Sequence, residues 1–291
     1  MPRLPESSRR QAIVEMVRLY QSGWSCPKIA SAFGLDPSTV NTHLHIAGVQ
    51  PRSPSASHRI YNLDEHAFSC DSPESRYWVG FLLADGCMMR SGKSYCIELS
   101  IAECDHAHIE AFRLFLKSNH PIKTKNRPKD NSGSYHGSPR SSITIQSAIL
   151  GESLIKLGVV PGKTSSATTP DHLKNDVDFW RGVVDGDGHI TTSAVSARPS
   201  RNRKEHRTYT IGVVGTQAIC EGFYDFAITQ VGEYERRSKK SVCLGNHFAT
   251  KISGQRALRL IEIIYRDAAV ALPRKLASAM RLLSGSTRAT R

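Results

Sequence analysis

One nine-residue segment occurs twice in this chain, and the distance between its copies limits the possible folds more than any other feature. The copies span residues 78–86 (WVGFLLADG) and 180–188 (WRGVVDGDG), and each is an apolar stretch closed by an acid and a glycine. The two acids, Asp85 and Asp187, are 102 positions apart (187 − 85). This is the length of a small domain rather than of one supersecondary unit. The sequence therefore predicts two similar halves related by a pseudo-two-fold axis.

Small residues four positions apart indicate how the two copies meet. Positions i and i+4 share one face of a helix, so each copy predicts a helix with a narrow face. Glycine in a helix interior costs about 1 kcal/mol relative to alanine, so these glycines should have a packing reason. We expect the two helices to pack closely through Gly80, Ala84, Gly182 and Gly186.

Such packing would bring Asp85 and Asp187 together at neighbouring helix C-termini. A helix C-terminus favours cations, and two adjacent carboxylates repel each other. A divalent cation removes both costs, because Mg²⁺ prefers carboxylate oxygens as ligands. The sequence therefore predicts a site for Mg²⁺ (or Mn²⁺) at Asp85 and Asp187, with the adjoining Gly86 and Gly188 as further members.

The duplicated segment resembles the motif of the LAGLIDADG homing endonucleases. Matched positions are the third-position glycine, the small seventh residue, the acid at position eight and the glycine at position nine. The first copy departs at position six, where Leu83 replaces an acid that the family often has, whereas the second copy has Asp185. In this family one motif per chain implies a homodimer, and two motifs imply a pseudo-symmetric monomer. The resemblance covers about residues 75–283 and implies a monomer.

The charge of the chain indicates a polyanionic partner. Lys and Arg number 39 against 26 Asp and Glu, which gives a net charge of +13 and an isoelectric point near 9.6. Nucleic acid is the commonest partner for such a balance. A single basic run is usually a solvated loop, but similar placement in both halves favours a shared surface for double-stranded DNA. The predicted contacts are Lys123, Lys125, Arg127, Arg201, Arg203, Arg207, Lys239, Lys240 and Lys251.

Other compositional signals argue against alternative classes. None of the seven cysteines forms a Cys-x-x-Cys pair, and we interpret Cys104, His106 and His108 as the start of a helix rather than a zinc site. No apolar run approaches the roughly 20 residues of a membrane span, and residues 1–10 lack the apolar core of a signal peptide. We therefore expect a reduced, intracellular (cytoplasmic) protein with no membrane association.

Residues 1–50 predict a separate helix-turn-helix domain. A helix over 10–20 is followed by Ser25 as the N-cap of a second helix, by Gly34 for a tight turn and by Asp36 as the next N-cap. The spacing resembles that of recombinase and resolvase-like DNA-binding modules, although a plain helical hairpin stays an alternative. Residues 51–70 read as a linker. The predicted major-groove contacts are Ser38, Thr39, Asn41, Thr42 and His43.

The remainder predicts an α+β fold with two αββαββα repeats, over residues 71–170 and 171–291. Alternating apolar and polar residues predict strands at 95–101, 122–127 and 142–146 in the first half, and at 207–214, 238–244 and 247–253 in the second. Helices are predicted at 105–117, 148–157, 217–230 and 255–265. The family resemblance implies that the two sheets form a saddle with polar, basic faces toward the DNA major groove.

The resemblance also implies an activity: a metal-dependent, staggered double-strand break in a long DNA site, with Asp85 and Asp187 holding the metal. The family uses a basic residue near each cleavage centre, and we assign this role to Lys251 in the second half. Thr144 stands at the counterpart position of the first half, so we assign Lys125 there instead. Two alternatives stay open: a catalytically inactive DNA-binding transcription regulator, and an RNA maturase that binds intron RNA and aids splicing.

Overall fold

The computed structural model describes residues 6–50, 61–125, 139–163, 166–195, 206–233 and 240–286. The chain divides into two compact units, Met1–Ile60 and Tyr61–Arg291. Residues 61–70, which the sequence suggests as the end of a linker, thus belong to the second unit, and Phe68 is buried in its core.

Residues 6–50 of the first unit form three helices, α1 (Glu6–Gln21), α2 (Cys26–Phe33) and α3 (Pro37–Ile46). The side chain of Ser25 caps α2 by accepting a hydrogen bond from the backbone of Lys28, and Asp36 caps α3 through Ser38. Gly34 ends α2 in the left-handed region (φ 64°), a conformation that glycine adopts without steric cost. The order of helix, turn and helix is therefore as the sequence predicts.

The second unit passes twice through the same order of elements, which confirms the predicted α+β fold with two repeats. The first half comprises α4 (Pro73–Asp85), β1 (Gly86–Ser91), β2 (Ser94–Ala102), α5 (His106–Phe115), β3 (Lys123–Lys125), β4 (Arg140–Gln146) and α6 (Ala148–Lys156). The second half comprises α7 (Val177–Asp187), β5 (Gly188–Val195), β6 (His206–Gly215), α8 (Gln217–Val231), β7 (Val242–Leu244), β8 (His247–Ser253) and α9 (Gln255–Tyr265), and α10 (Pro273–Ser286) follows it.

Each half contains a four-stranded antiparallel sheet, in the orders β1-β2-β4-β3 and β5-β6-β8-β7. Ile97 lies opposite Ile145 in the first sheet, and Ile211 lies opposite Ile252 in the second. All four are buried in one continuous core, so these rows define the covered face of each sheet. Residues of the opposite parity point away from the core and form the open face. None of the described helices is long and apolar enough to cross a membrane.

Helices α4 and α7, which carry the duplicated motif, touch backbone to backbone. A Cβ placed on Gly80 would lie 2.1 Å from the carbonyl oxygen of Phe179, and one placed on Gly182 would lie 2.1 Å from that of Tyr77. Real Cβ atoms do not approach so closely, so the contact requires glycine at both positions. The structure therefore places the small residues of the motif in the interface between the two halves.

We expect Gly182→Ala to lower the free energy of unfolding by about 1–3 kcal/mol, because the added methyl group overpacks a rigid backbone contact. Denaturant unfolding of the purified protein measures this change. Gly215→Ala is the matched control, since a Cβ there meets Ile219 at an ordinary 3.6 Å. Equal stability of Gly182→Ala and the wild type would show that α4 and α7 do not pack through this face.

Candidate active site

The two motif acids stand where each helix passes directly into a strand. Helix α4 ends at Asp85 and α7 ends at Asp187, and the glycine that follows each acid has an extended backbone. A Cβ on Gly186 would lie 2.4 Å from the Cβ of Ala84 and 3.5 Å from Oδ2 of Asp85. The helix ends are therefore in contact, and the two carboxylates share one region at the axis of the pseudo-symmetry.

Neither carboxylate has a partner of its own in the described part of the chain, where no hydrogen bond or ion pair to its oxygens is present. Burial raises the pKa of Asp85, and repulsion by Asp187 raises it further. Burial of the carboxyl group also raises the pKa of Asp187, although the residue as a whole keeps an exposed surface. The charges of Lys163 and Lys275 offset part of both effects. The site thus holds two acids that lack a bound counter-charge.

This arrangement fits a hard divalent cation bound by few protein ligands. Mg²⁺ is typically held by one or two carboxylates while substrate phosphates and water complete its shell. Within the described residues no group of three or more His, Cys, Asp or Glu side chains could hold a metal, so Asp85 and Asp187 would be the side-chain ligands. The backbone carbonyl of Gly188 accepts a hydrogen bond from Lys275 Nζ at 2.8 Å. Because this carbonyl already binds an ammonium group, Gly188 is a weaker candidate for a metal ligand than the two carboxylates.

Two lysines that the sequence analysis missed lie at this site. Lys163 and Lys275 are buried, and each binds backbone carbonyl groups at the end of one motif helix. They follow the closing helices α6 and α9 in a repeated apolar-Pro-x-Lys pattern, at 160–163 and 272–275. This repeat is the sequence signal that could have found them.

The second sheet has a basic residue on its open face, in the row that contains His189. Lys251 lies on the open face, in one row with Gly212 and His189. Lys251 is exposed, and its charge helps to lower the pKa of His189 after the larger effects of burial and of Lys275. An open cavity of about 740 Å³ adjoins Asp187 and leaves room for a ligand.

The corresponding row of the first sheet has a different chemical character. This row consists of Cys87, Glu98 and Thr144. Thr144 therefore occupies the position of Lys251, and Glu98 occupies the position of Gly212. Lys125 is on the open face but exposed at the edge strand, opposite Arg140. The positive charge of Arg140 lowers the pKa of Asp85, after the larger effects of burial, Asp187 and Lys275, and its guanidinium group binds Ser100 of β2.

The other predicted DNA contacts fall in several places. Lys123 lies on the open face of the first sheet with Lys125. In the second sheet the strand pairing places Arg207 on the same side as the buried residues, but it lies near the end of β6 and is exposed. Lys240 forms an ion pair with Asp225 at 2.7 Å. In the first unit Ser38, Asn41 and Thr42 are exposed, and Thr39 and His43 are half-buried. Arg127, Arg201, Arg203 and Lys239 lie outside the described residues.

Comparison with known proteins identifies the fold. No protein-family model matches the chain, and no curated protein does. The crystal structure of the LAGLIDADG meganuclease I-AabMI bound to uncleaved DNA matches with a TM-score of 0.50 and 13% identity, over 76% of this chain and 93% of that chain. The chain has the LAGLIDADG homing-endonuclease fold. The meganuclease I-SmaMI bound to uncleavable DNA with a TTCT central four also matches, at a TM-score of 0.49 and 11% identity, over 75% of this chain and 92% of that chain.

A buried hydrogen-bond network joins the two halves of the LAGLIDADG fold behind the acid pair. Asp185, fully buried, accepts hydrogen bonds from the hydroxyls of Tyr77 (2.8 Å) and Tyr265 (2.6 Å) and from the backbone N–H of Leu272 (2.6 Å). Burial raises the pKa of Asp185, and these three donors oppose the rise. Because the Tyr77 proton goes to Asp185, His108 Nε2, 2.7 Å from that hydroxyl, carries its own proton as a neutral donor.

Acid should destabilise the folded state through His108, because burial lowers the pKa of its imidazole to about 4. Above pH 6.5 the ring is neutral in both states, and as the pH falls toward 4 the unfolded chain takes up a proton that the folded chain refuses. We expect the free energy of unfolding to fall by about 2 kcal/mol between pH 7 and pH 5 from this group. Denaturant titrations of wild type and His108→Gln measure it. An identical pH dependence of the two proteins would contradict the assignment.

Proposed function

We propose that this chain is a site-specific DNA endonuclease that acts as a monomer inside the cell and makes a staggered, divalent-cation-dependent double-strand break in a long site. The observation that carries the proposal is the pair of carboxylates, Asp85 and Asp187, brought together at the contact of two helices with no hydrogen-bond partner among the described residues. A duplicated acid at a pseudo-two-fold axis matches the symmetry of a DNA duplex, whose two strands are related in the same way.

Charge and surface support DNA as the substrate. The chain carries a net charge of +13, and polyanions bind to such surfaces by releasing counterions. The open faces of both sheets flank the acid pair and carry Lys123, Lys125 and Lys251. Strand side chains can reach base edges in the major groove, which displays a unique pattern for each base pair. The structural neighbour I-AabMI was crystallised with DNA.

Each residue of the site has a role in this proposal. Asp85 and Asp187 would hold Mg²⁺ or Mn²⁺, which when bound lowers the pKa of a water molecule and polarises the phosphoryl oxygen. Lys251 would bind the phosphate of the strand nearest the second half and stabilise the negative charge that develops there. Arg140 would offset the charge of Asp85 in the first half.

We also propose that the first unit is a helix-turn-helix that extends the DNA site. Helix α3 presents Ser38, Asn41 and Thr42 on an exposed face, and these side chains can donate to and accept from base edges. The core of the unit is separate from that of the catalytic unit, so it can bind its own segment of DNA.

We expect Asp187→Asn to abolish cleavage and to leave DNA binding largely unchanged, because the amide keeps the shape of the side chain and loses the charge that holds the cation. Gel-based cleavage and binding assays on the selected target measure the two effects. Asp171→Asn, an exposed acid away from the site, is the control. Full cleavage by Asp187→Asn would remove the acid pair from the mechanism and with it the proposed endonuclease site.

The two half-sites should cut at different rates. Lys251 has no counterpart in the first half, where Thr144 and the acid Glu98 occupy the equivalent row. Loss of one group that stabilises developing charge typically costs a factor of about 100 or more. We therefore expect the strand next to the second half to be cut first, so that nicked duplex accumulates.

The double variant Thr144→Lys with Glu98→Gly should speed cleavage of the slower strand by about ten-fold or more, because it rebuilds the row found in the second half. Strand-specific end labels on one duplex report both rates. Gln146→Lys with Glu98→Gly adds the same charge farther along β4 and is the matched control. Equal rates on both strands in the wild type would contradict the proposed asymmetry.

A further inference from the structure

The edge of the second sheet presents apolar side chains on its open face. Val242 of β7 lies opposite Ala249, and Leu244 lies opposite His247, so these side chains point to the same side as Lys251. Val242 is 50% exposed and Leu244 is 49% exposed. Two large apolar side chains are thus left in water on the face that carries the basic residue of this half.

The packing of the sheet does not require these two residues to be apolar. Phe248 and Ile252 lie on the opposite side of β8 and pack into the core. The hairpin of β7 and β8 therefore already has an apolar side that holds it to the protein. Single exposed apolar residues are common on protein surfaces, but Val242 and Leu244 are neighbours on one face of one strand.

The first half provides an internal comparison, because the same strand positions carry lysines there. Counted from the row of Lys251 and its counterpart in the first sheet, Lys123 in β3 corresponds to Val242 in β7. Lys125 corresponds to Leu244 in the same way. The fold therefore accepts charged residues at both positions, and the apolar character is a property of the second half alone.

The major groove of DNA displays one apolar group, the C5 methyl group of thymine. Apolar side chains contact this methyl group, whereas lysine ammonium groups pair with phosphates and with the acceptor atoms of guanine. The apolar strip formed by Val242, Leu244 and Ala249 therefore matches thymine better than any other base. The cavity that adjoins Asp187 is also lined by His247, so the strip is continuous with the proposed active site.

We propose that the apolar strip is a specificity-determining element of the second half-site, where it selects thymine by contact with the C5 methyl group. The inference rests on the proposed function, because it takes the open face of the sheet as the DNA-binding face. The first half, with lysines at the corresponding positions, makes no such selection. The recognition site is therefore asymmetric in its base chemistry as well as in its cleavage.

The strand pairing also indicates where the thymines lie. Alternate residues of a strand are about 6.8 Å apart, which equals about two base pairs of B-DNA at a rise of about 3.4 Å. Ala249 is displaced from Lys251 toward the start of β5, which directly follows Asp187. The selected thymines should therefore lie within about four base pairs of the phosphate bound by Lys251, in the inner part of the half-site.

The test begins with a duplex that the full-length wild-type protein selects from a randomised pool. Thymines of the inner second half-site are then replaced by uracil one at a time, which removes the methyl group and keeps the base pair. Each contacted position should show an increase in Kd of about four-fold, as expected from the burial of one methyl-sized group. Uracil at the corresponding positions of the first half-site is the control and should leave the Kd unchanged.

Variants assign the effect to the strip. Val242→Thr with Leu244→Asn keeps the approximate size of both side chains and removes apolar surface, so this protein should bind thymine and uracil duplexes equally. Leu114→Asn changes a 70% exposed leucine on α5 and should retain the wild-type discrimination. Lys123→Val with Lys125→Leu transfers the apolar pair to the first half and should create sensitivity to uracil there, which tests the inference even if the first variant fails to fold.

Equal affinity of the wild-type protein for thymine and uracil duplexes would overturn the inference, and so would a selected site with no thymine in this window. A change of sedimentation in Val242→Thr with Leu244→Asn, with discrimination intact, would also overturn it, because a second copy of the chain would then cover the strip. Specific cleavage by the wild type would still support the proposed function in all three cases. Failure to select any duplex would refute the proposed function and the inference with it.

Discussion

The backbone contact between α4 and α7 is the interaction on which the rest of the structure depends. Gly80 and Gly182 let each helix meet a carbonyl oxygen of the other, with no room for a side chain at either position. Because both helices end in an acid, this contact alone decides that Asp85 and Asp187 share one place. The same helices pass directly into β1 and β5, so it also fixes where the two sheets lie relative to the acids.

The packing buries two carboxylates close together, and the surrounding residues offset only part of their desolvation and mutual repulsion. Asp185, buried behind the pair, is satisfied by three donors from both halves, whereas Asp85 and Asp187 have no such partners among the described residues. Lys163 and Lys275 donate hydrogen bonds from Nζ to backbone carbonyl oxygens, and they affect the carboxylates only through their positive charge. The site is thus organised around two carboxylates that stay open to a cation and to phosphate.

Local sequence pattern was sufficient for most of the elements, although the bounds of β1 and β5 were not predicted. The motif repeat predicts the helix pair, alternation predicts strands such as 142–146, and cap residues such as Asp36 mark helix starts that the structure confirms. Features that depend on tertiary register were beyond it. The effect of Arg140 on the pKa of Asp85 depends on how the strands are paired, and the face occupied by Arg207 follows from its pairing with Ala194. Lys163 and Lys275 were missed because a Pro-x-Lys pattern does not show which backbone groups the lysine binds. These groups lie at helix ends far away in the sequence.

The most direct test of the central claim, that the acid pair makes this fold a nuclease, is a cleavage assay on a randomised duplex library with Mg²⁺ and with EDTA. The account predicts double-strand cuts at one long site, dependent on the metal and absent from the Asp85→Asn and Asp187→Asn variants. Specific binding with no cutting in Mg²⁺ or Mn²⁺ would contradict it. The chain would then be a DNA-binding regulator or an RNA maturase, and the two acids would be structural remnants.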